Sequence, residues 1–209
     1  MGSLISSKMI AIIDYGMGNL HSIHNALQYL GYDSNITSNP KEILAANKII
    51  LPGVGSFYEA MSKLKERNLL DLLNEVVINQ KKKVLGICLG MQLFAEQGIE
   101  GGNTIGLGWI KGKIIPLNNK NLKMPHIGFN TTIICKPNSI FKDLKGNQDF
   151  YYVHSYVLAC ENEEDVASWT TYGSKFVSSV QKGNIFGTQF HPEKSQTTGL
   201  KVLKNFAKL

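Results

Sequence analysis

The sequence predicts an α/β protein with a mostly parallel central sheet, helices on both of its faces and antiparallel strand additions. Three observations carry that expectation. Apolar runs of strand length at Met9 to Asp14, Lys48 to Leu51 and Val84 to Ile87 are separated by helical patterns, the alternation of a parallel sheet covered by helices. From about Ile105 the pattern changes to short strands with turns, which suggests antiparallel additions. The chain has 209 residues, 43% hydrophobic and 18% charged, enough to bury one core without disulfide or metal staples.

In order, Met9 to Asp14 reads as the first strand and Tyr15 to Asn19 as a glycine-bearing turn. Leu20, Ile23, Leu27 and Leu30 then recur at helical spacing, and Gly31 ends the pattern as a C-cap. Asp33 to Thr37 is a weak second strand, and Phe57 to Lys65 and Leu69 to Gln80 are helical. Short strands are expected at Trp109 to Ile115, His126 to Ile134, Phe150 to Leu158, Asp165 to Thr171 and Lys175 to Val180. Ile185 to Phe190 reads as a last core strand, and Leu200, Leu203, Phe206 and Ala207 as one face of a closing helix. Residues 1–8 are polar and patternless, an extension outside a single domain of residues 9–209.

The bulk numbers argue against several function classes. No apolar run approaches the ~18 residues that span a bilayer, and the opening MGSLISSK lacks the apolar core of a secretory signal. A cytoplasmic protein without a membrane partner is expected. Net charge is +6, but the lysines are dispersed apart from Lys81 to Lys83, and no aromatic-interleaved basic stretch accompanies them; no nucleic-acid partner is expected. Cys88, Cys135 and Cys160 are too widely spaced for a metal site, so no metal or other cofactor is expected, and a reducing compartment fits. Cys135 and Cys160 read as packing residues.

Chemistry enters at Gly86-Ile87-Cys88-Leu89-Gly90, where an apolar strand meets a helical pattern beginning at Met91. Glycines two residues before and after a nucleophile suit a sharp strand-to-helix turn, because side chains there would strike backbone. The thiol would project from the strand end at a helix N-terminus, which favours thiolate. A buried structural cysteine is the alternative. In Gly187-Thr188-Gln189-Phe190-His191-Pro192-Glu193, the histidine follows a strand and the glutamate lies two residues on. An extended chain puts both on one side, and Pro192 biases the chain toward that form. The carboxylate would orient the imidazole while its other nitrogen faces the thiol; a loop histidine beside a surface glutamate is the bland reading. Leu51-Pro52-Gly53-Val54-Gly55 could bring backbone amides close to a ligand, as an oxyanion hole requires, or be a plain turn.

Taken with DYGMGNL (14–20), KMPHIGFN (123–130) and YVHSY (152–156), these stretches give a resemblance to the class I (triad) glutamine amidotransferases, whose fold is flavodoxin-like. Within that family the chain most resembles the glutaminase subunits of imidazole glycerol phosphate synthases. The resemblance implies a nucleophile Cys88 with His191 and Glu193 completing the triad, and an oxyanion hole from Gly53, Val54 and Leu89. It implies glutamine contacts at Gly53, Gln92, Ser155 and Tyr156. It further implies a heterodimer with a cyclase/synthase subunit, faced by Asn19, Met124, Pro125, His126, Phe129, Tyr151 and Lys194; the Pro52 to Gly55 segment is the candidate for a switch between the two sites, since its two glycines permit a peptide to reorient. Phe129 departs from the tryptophan usual there, keeping the ring but losing area and the indole N–H. An alternative partner is therefore a sugar-amidating synthase of surface-glycan biosynthesis. A cysteine peptidase or a non-catalytic relative is the remaining alternative.

Overall fold

The computed structural model describes residues 9–118, 122–144 and 146–209; the expected extension of residues 1–8 lies outside them. In the first half, strands and helices alternate: β1 (Ile10–Ile13), α1 (Leu20–Tyr29), β2 (Ser34–Thr37), α2 (Pro40–Ala45), β3 (Lys48–Gly53), α3 (Phe57–Glu66), α4 (Leu70–Asn74), β4 (Lys83–Cys88) and α5 (Leu89–Gln92). A π-helical segment, Glu75–Asn79, prolongs α4. Short strands follow: β5 (Gln97–Gly98), β6 (Thr104–Ile105), β7 (Gly112–Pro116), β8 (His126–Ile134), β9 (Gln148–His154), β10 (Tyr156–Cys160), β11 (Val166–Tyr172) and β12 (Ser174–Lys182). Then come β13 (Ile185–Thr188) and α6 (Gln196–Lys208).

The main sheet runs β2-β1-β3-β4-β13-β12-β11-β8-β9. From β2 to β13 its pairings are parallel, and from β13 to β9 they are antiparallel. Its central strands are apolar without alternation because both faces are covered: all four residues of β1 are buried. Ile10 and Ile12 pack with Ile23 and Leu27 of α1 and Val202, Leu203 and Phe206 of α6. Ala11 and Ile13 face the opposite way, onto Leu64 of α3 and Leu73 of α4. Each such fully buried side chain contributes about 1.5–3 kcal/mol of transfer free energy, so the two-sided core dominates the stability.

Local signals set the helix starts. Ser56 caps α3 by accepting from the Glu59 amide, and Glu59 lies in the first turn, as a Ser-x-x-Glu start should. Helix α2 is absent from the expectations above. It carries a capping Asn39, which accepts from the Lys41 amide, and Pro40 in its first turn, but Ile43 is its one buried residue, so no apolar periodicity announces it.

Three other expectations change. The Phe150 to Leu158 segment is two strands: β9 closes the main sheet, whereas β10 belongs to a second sheet ordered β10-β7-β5-β6, with Ser155 at the break. The strand expected from Trp109 begins only at Gly112; Trp109 is buried, donating through Nε1 to Asn74 Oδ1 at 2.7 Å and lying 5.0 Å from the Phe94 ring. Gly112 has a φ of +132°, and a Cβ there would lie 2.2 Å from the Ala159 carbonyl oxygen, so the β7–β10 pairing depends on the missing side chain. Cys135 is exposed rather than packed, whereas Cys160, half-buried, packs against the core as expected.

Candidate active site

Strand β4 ends on Cys88, which has φ 55° and ψ −112°, a region costly for a side-chain-bearing residue, on the order of 1–3 kcal/mol. Neighbouring glycines let the surroundings hold it there. A Cβ on Gly86 would lie 2.5 Å from Phe94 Cζ and 2.7 Å from the Met91 nitrogen, and one on Gly90 would lie 1.8 Å from the Leu51 carbonyl oxygen. The elbow thus forms because both glycines let α5 close onto β3 and β4. The expected helix after Cys88 is a single turn, Leu89–Gln92, too short for a large dipole. Leu89 opens that turn, and its amide belongs to the helix-start set without intrahelical acceptors.

His191 follows β13, and its amide donates to the Tyr151 carbonyl of β9 at 2.9 Å. Ser195 fixes the loop from the other side: its hydroxyl donates to the His191 carbonyl at 2.7 Å and accepts from the Tyr151 amide at 2.9 Å. His191 Nδ1 lies 2.8 Å from Glu193 Oε1, with the two side chains 2% and 0% exposed. Among the described residues, His191 Nε2 is buried and has no conventional hydrogen-bond partner, but Cys88 acts on the ring electrostatically. Burial, the largest influence, pushes the His191 imidazolium down; Cys88 first and Glu193 second more than offset it and carry the value up to about 10. A sulfur, an imidazole and a carboxylate are therefore in series, the arrangement of nucleophile, base and orienting group.

Cys88 opens into a cavity of about 330 Å³, whose lining includes Val54, Leu89, Gln92, Ser155 and Tyr156. Such a volume fits a small amino acid. The match to the family of glutamine amidotransferase class-I domains runs over residues 11–209. The chain belongs to that family. This amidotransferase is 50% identical, over 96% of its length and all of the relative's, to "Imidazole glycerol phosphate synthase subunit HisH 1" of Campylobacter jejuni subsp. jejuni serotype O:23/36. It is 47% identical, over 97% of its length and 95% of the relative's, to "Imidazole glycerol phosphate synthase subunit HisH" of Moorella thermoacetica. Among solved structures, "PurLQS from Thermotoga maritima" matches with a TM-score of 0.77 at 17% identity, covering 97% and 98% of the two chains, a likeness of fold.

The structure of this amidotransferase gathers most of the residues expected at the site. Val54 and Leu89 flank the sulfur in the cavity wall, where oxyanion donors must lie. Gly53 stands one step back, paired in register with Cys88; a Cβ there would lie 2.6 Å from Tyr15 Oη and 2.9 Å from Leu89 Cβ. Gln92 donates to the Tyr156 carbonyl at 2.9 Å. Of the residues expected to face a partner, Pro125, Phe129 and Lys194 are exposed, while Asn19, Met124 and Tyr151 are partly so. His126 is not a surface residue: it is 2% exposed, because its ring is stacked on Tyr172 at 4.1 Å and turned inward to His154.

Sequence reasoning overlooked Glu100, His154, Gln189 and Ser195. Glu100 lines the cavity that Lys194 also lines and accepts from the Phe57 amide at 3.0 Å; burial pushes its carboxyl up. A carboxylate and an ammonium in one wall complement an α-amino acid zwitterion. Gln189 had a visible signal, standing two residues before His191 and so on the same side of an extended chain.

One consequence can be measured on the triad itself. In Glu193→Gln the His191 value should fall, since a charge that raises it is lost, and turnover should drop on the order of 10²-fold or more. NMR titration of the His191 ring checks the shift. In the parent protein the folded value lies above the unfolded one of ~6.5, so the stability gained from this proton is complete below that pH and is lost as pH rises through about 10.

Proposed function

We propose that this chain is the glutaminase subunit of an imidazole glycerol phosphate synthase, hydrolysing L-glutamine to glutamate and ammonia. The observation that carries the reading is the glycine-flanked Cys88 elbow sharing one site with the buried His191–Glu193 pair. Cys88 sulfur attacks the glutamine side-chain carbonyl carbon, and amides of the Leu89 and Gly53-Val54 segments hold the oxyanion. His191, protonated at neutral pH, gives its proton to the departing nitrogen, and the C–N bond breaks to leave a γ-glutamyl thioester. Water then attacks the thioester carbon, His191 takes the water's proton, and glutamate leaves as the sulfur is restored. Glu193 holds the ring in place throughout. Gln92, Ser155, Tyr156 and Gly53 contact the substrate.

Ammonia passes to a barrel-shaped cyclase subunit in a cytoplasmic heterodimer, where it yields imidazole glycerol phosphate and an aminoimidazole carboxamide ribonucleotide. Among the described residues no helix is long and apolar enough to cross a membrane. The relatives, at 42–50% identity over nearly their whole length, carry the synthase-subunit name, which favours this partner over a sugar-amidating synthase. The docking face is the outer face of the antiparallel end of the main sheet: Ile127 and Phe129 of β8 are 58% and 51% exposed. Phe129 packs edge-on to Tyr151 at 5.6 Å, with Lys194 Nζ 5.7 Å from that ring. Gly55 holds a φ of +99°, consistent with its segment as the switch. Co-expression with the cyclase subunit tests the reading. Glutamine-dependent formation of imidazole glycerol phosphate is expected; formation from ammonium salts alone, with glutamine inert, would overturn it.

A further inference from the structure

A line of hydrogen bonds runs from the nucleophile to strand β8. Gln189 Nε2 donates to Cys88 Sγ at 3.7 Å, and Gln189 Oε1 accepts from Gln92 Nε2 at 3.0 Å. Gln92 Nε2 also donates to the Tyr156 carbonyl at 2.9 Å. That carbonyl is met from the other side by His154 Nδ1 at 3.0 Å. His154 Nε2 lies 2.9 Å from His126 Nδ1, and His126 Nε2 lies 3.2 Å from Asn130 Nδ2. Asn130 Nδ2 in turn donates to the Thr171 carbonyl of β11 at 2.9 Å.

The two ends fix every proton between them. A carbonyl oxygen only accepts, so His154 carries its hydrogen on Nδ1, and the bare Nε2 of the neutral ring accepts from His126 Nδ1–H. His126 Nε2 is then the acceptor that the Asn130 amide requires. Both rings must be neutral, because an added proton on either would face another N–H. Burial enforces that state, holding His126 down at about 4 and His154 at about 3. His126 is also clasped between the rings of Tyr172 and Tyr152, at 4.1 and 5.0 Å. At the other end, the Gln92 Nε2 group is committed to the Tyr156 carbonyl and Gln189. The amide of Gln92 is therefore held one way round, and its Oε1 is the group left to accept from an amino acid in the cavity.

We propose that Gln189, His154 and His126 are positioning residues: Gln189 acts on the nucleophile and on Gln92, and the histidine pair acts through the Tyr156 carbonyl, so that β8 sets the geometry of the glutamine pocket. The idea rests on the glutaminase reading above. It extends it to side chains that do no bond-making and gives His126 an internal task in place of a surface one. Orientation of this kind matters because small misplacements of reacting groups cost large factors in rate.

The test uses the complex with the cyclase subunit and two readouts: kcat and KM for glutamine, and the pH dependence of iodoacetamide alkylation at Cys88, resolved by peptide mass with exposed Cys135 as internal reference. Gln189→Glu exchanges an N–H donor for an acceptor beside the sulfur, so its Cys88 alkylation profile should move to higher pH by about one unit, with kcat lower by about tenfold. Gln189→Met, of similar length without the donor, should move the profile in the same direction and covers failure of the charged variant to fold. His154→Asn keeps an N–H where Nδ1 stood but loses the Nε2 acceptor of His126, so its KM should rise less than that of His154→Leu, which should rise about tenfold. Alkylation profiles of both Gln189 variants that superimpose on the parent's, or equal KM values for His154→Asn and His154→Leu, would overturn the proposal. Failure of the glutaminase reading looks different: the unsubstituted complex then releases no ammonia, whatever the alkylation profiles show.

Discussion

Cys88→Ala is expected to release no measurable ammonia from glutamine, a fall on the order of 10⁵–10⁶-fold, because binding and oxyanion stabilisation are all that survive loss of a nucleophile. The variant should stay folded. Among the described residues, the contacts of the Cys88 sulfur to the Val153 carbonyl and to Gln189 are long, each at 3.7 Å, and the loss of its pull on His191 is relieved when that ring gives up its proton. Its backbone, however, keeps the φ of 55° that the elbow imposes. Cys88→Gly relieves that strain and should melt higher than Cys88→Ala, by the equivalent of about 1 kcal/mol, while being equally inactive. Thermal melts and an ammonia assay in the presence of the partner check both statements. An active Cys88→Ala protein would remove the nucleophile assignment.

Gly90→Ala is expected to be the most disruptive single-methyl change in the site. The added Cβ would lie 1.8 Å from the Leu51 carbonyl oxygen and 2.7 Å from its carbon. Both belong to the backbone of β3, which its pairings with β1 and β4 hold in place. Neither side can yield by rotating a side chain, so α5 must lift from the sheet and carry Leu89 and Cys88 with it. The cost should reach ~3 kcal/mol or more, the upper range for overpacking, and whatever folds should lose at least ~10²-fold in turnover from misplacement. Gly31→Ala is the comparison: no atom lies within 4 Å of its Cβ position and only a φ of +79° opposes it. About 1 kcal/mol and unchanged activity are expected there. Urea denaturation of the two variants side by side separates steric exclusion at the elbow from simple backbone strain.

The parts that are legible from residues alone are those governed by short-range rules. Strands β1, β3 and β4 are apolar at almost every position because helices cover both faces, and such runs stand out without tertiary knowledge. Gly86 and Gly90 frame Cys88 at fixed offsets, and Glu193 reaches His191 across a single proline, so each half of the triad is a local pattern.

What escapes is set by distant partners. Gln189 and Cys88 are 101 positions apart in the sequence, and the one local signal at Gln189, its place two residues before His191, gains meaning only once the fold brings that strand end to the sulfur. The resemblance places His126 on the partner-facing surface; the rings of Tyr152 and Tyr172, contributed by β9 and β11, turn it inward. The break at Ser155 is likewise invisible in a continuous β-prone run. It arises because the Ser155 carbonyl accepts from the Leu117 amide at 2.9 Å and β10 pairs with β7, contacts that exist only after both sheets have formed. Short α2 escapes for the opposite reason, having caps but almost no apolar face.

Covalent catalysis at Cys88 is open to peptide-resolved mass analysis of the complex, acid-quenched during turnover of glutamine. A γ-glutamyl group should be found on the peptide carrying Cys88, and none in a parallel sample of Cys88→Ala. Ammonia release with that peptide unmodified at every quench time, or with the adduct on Cys135 or Cys160 instead, would show that the thioester does not form on this sulfur.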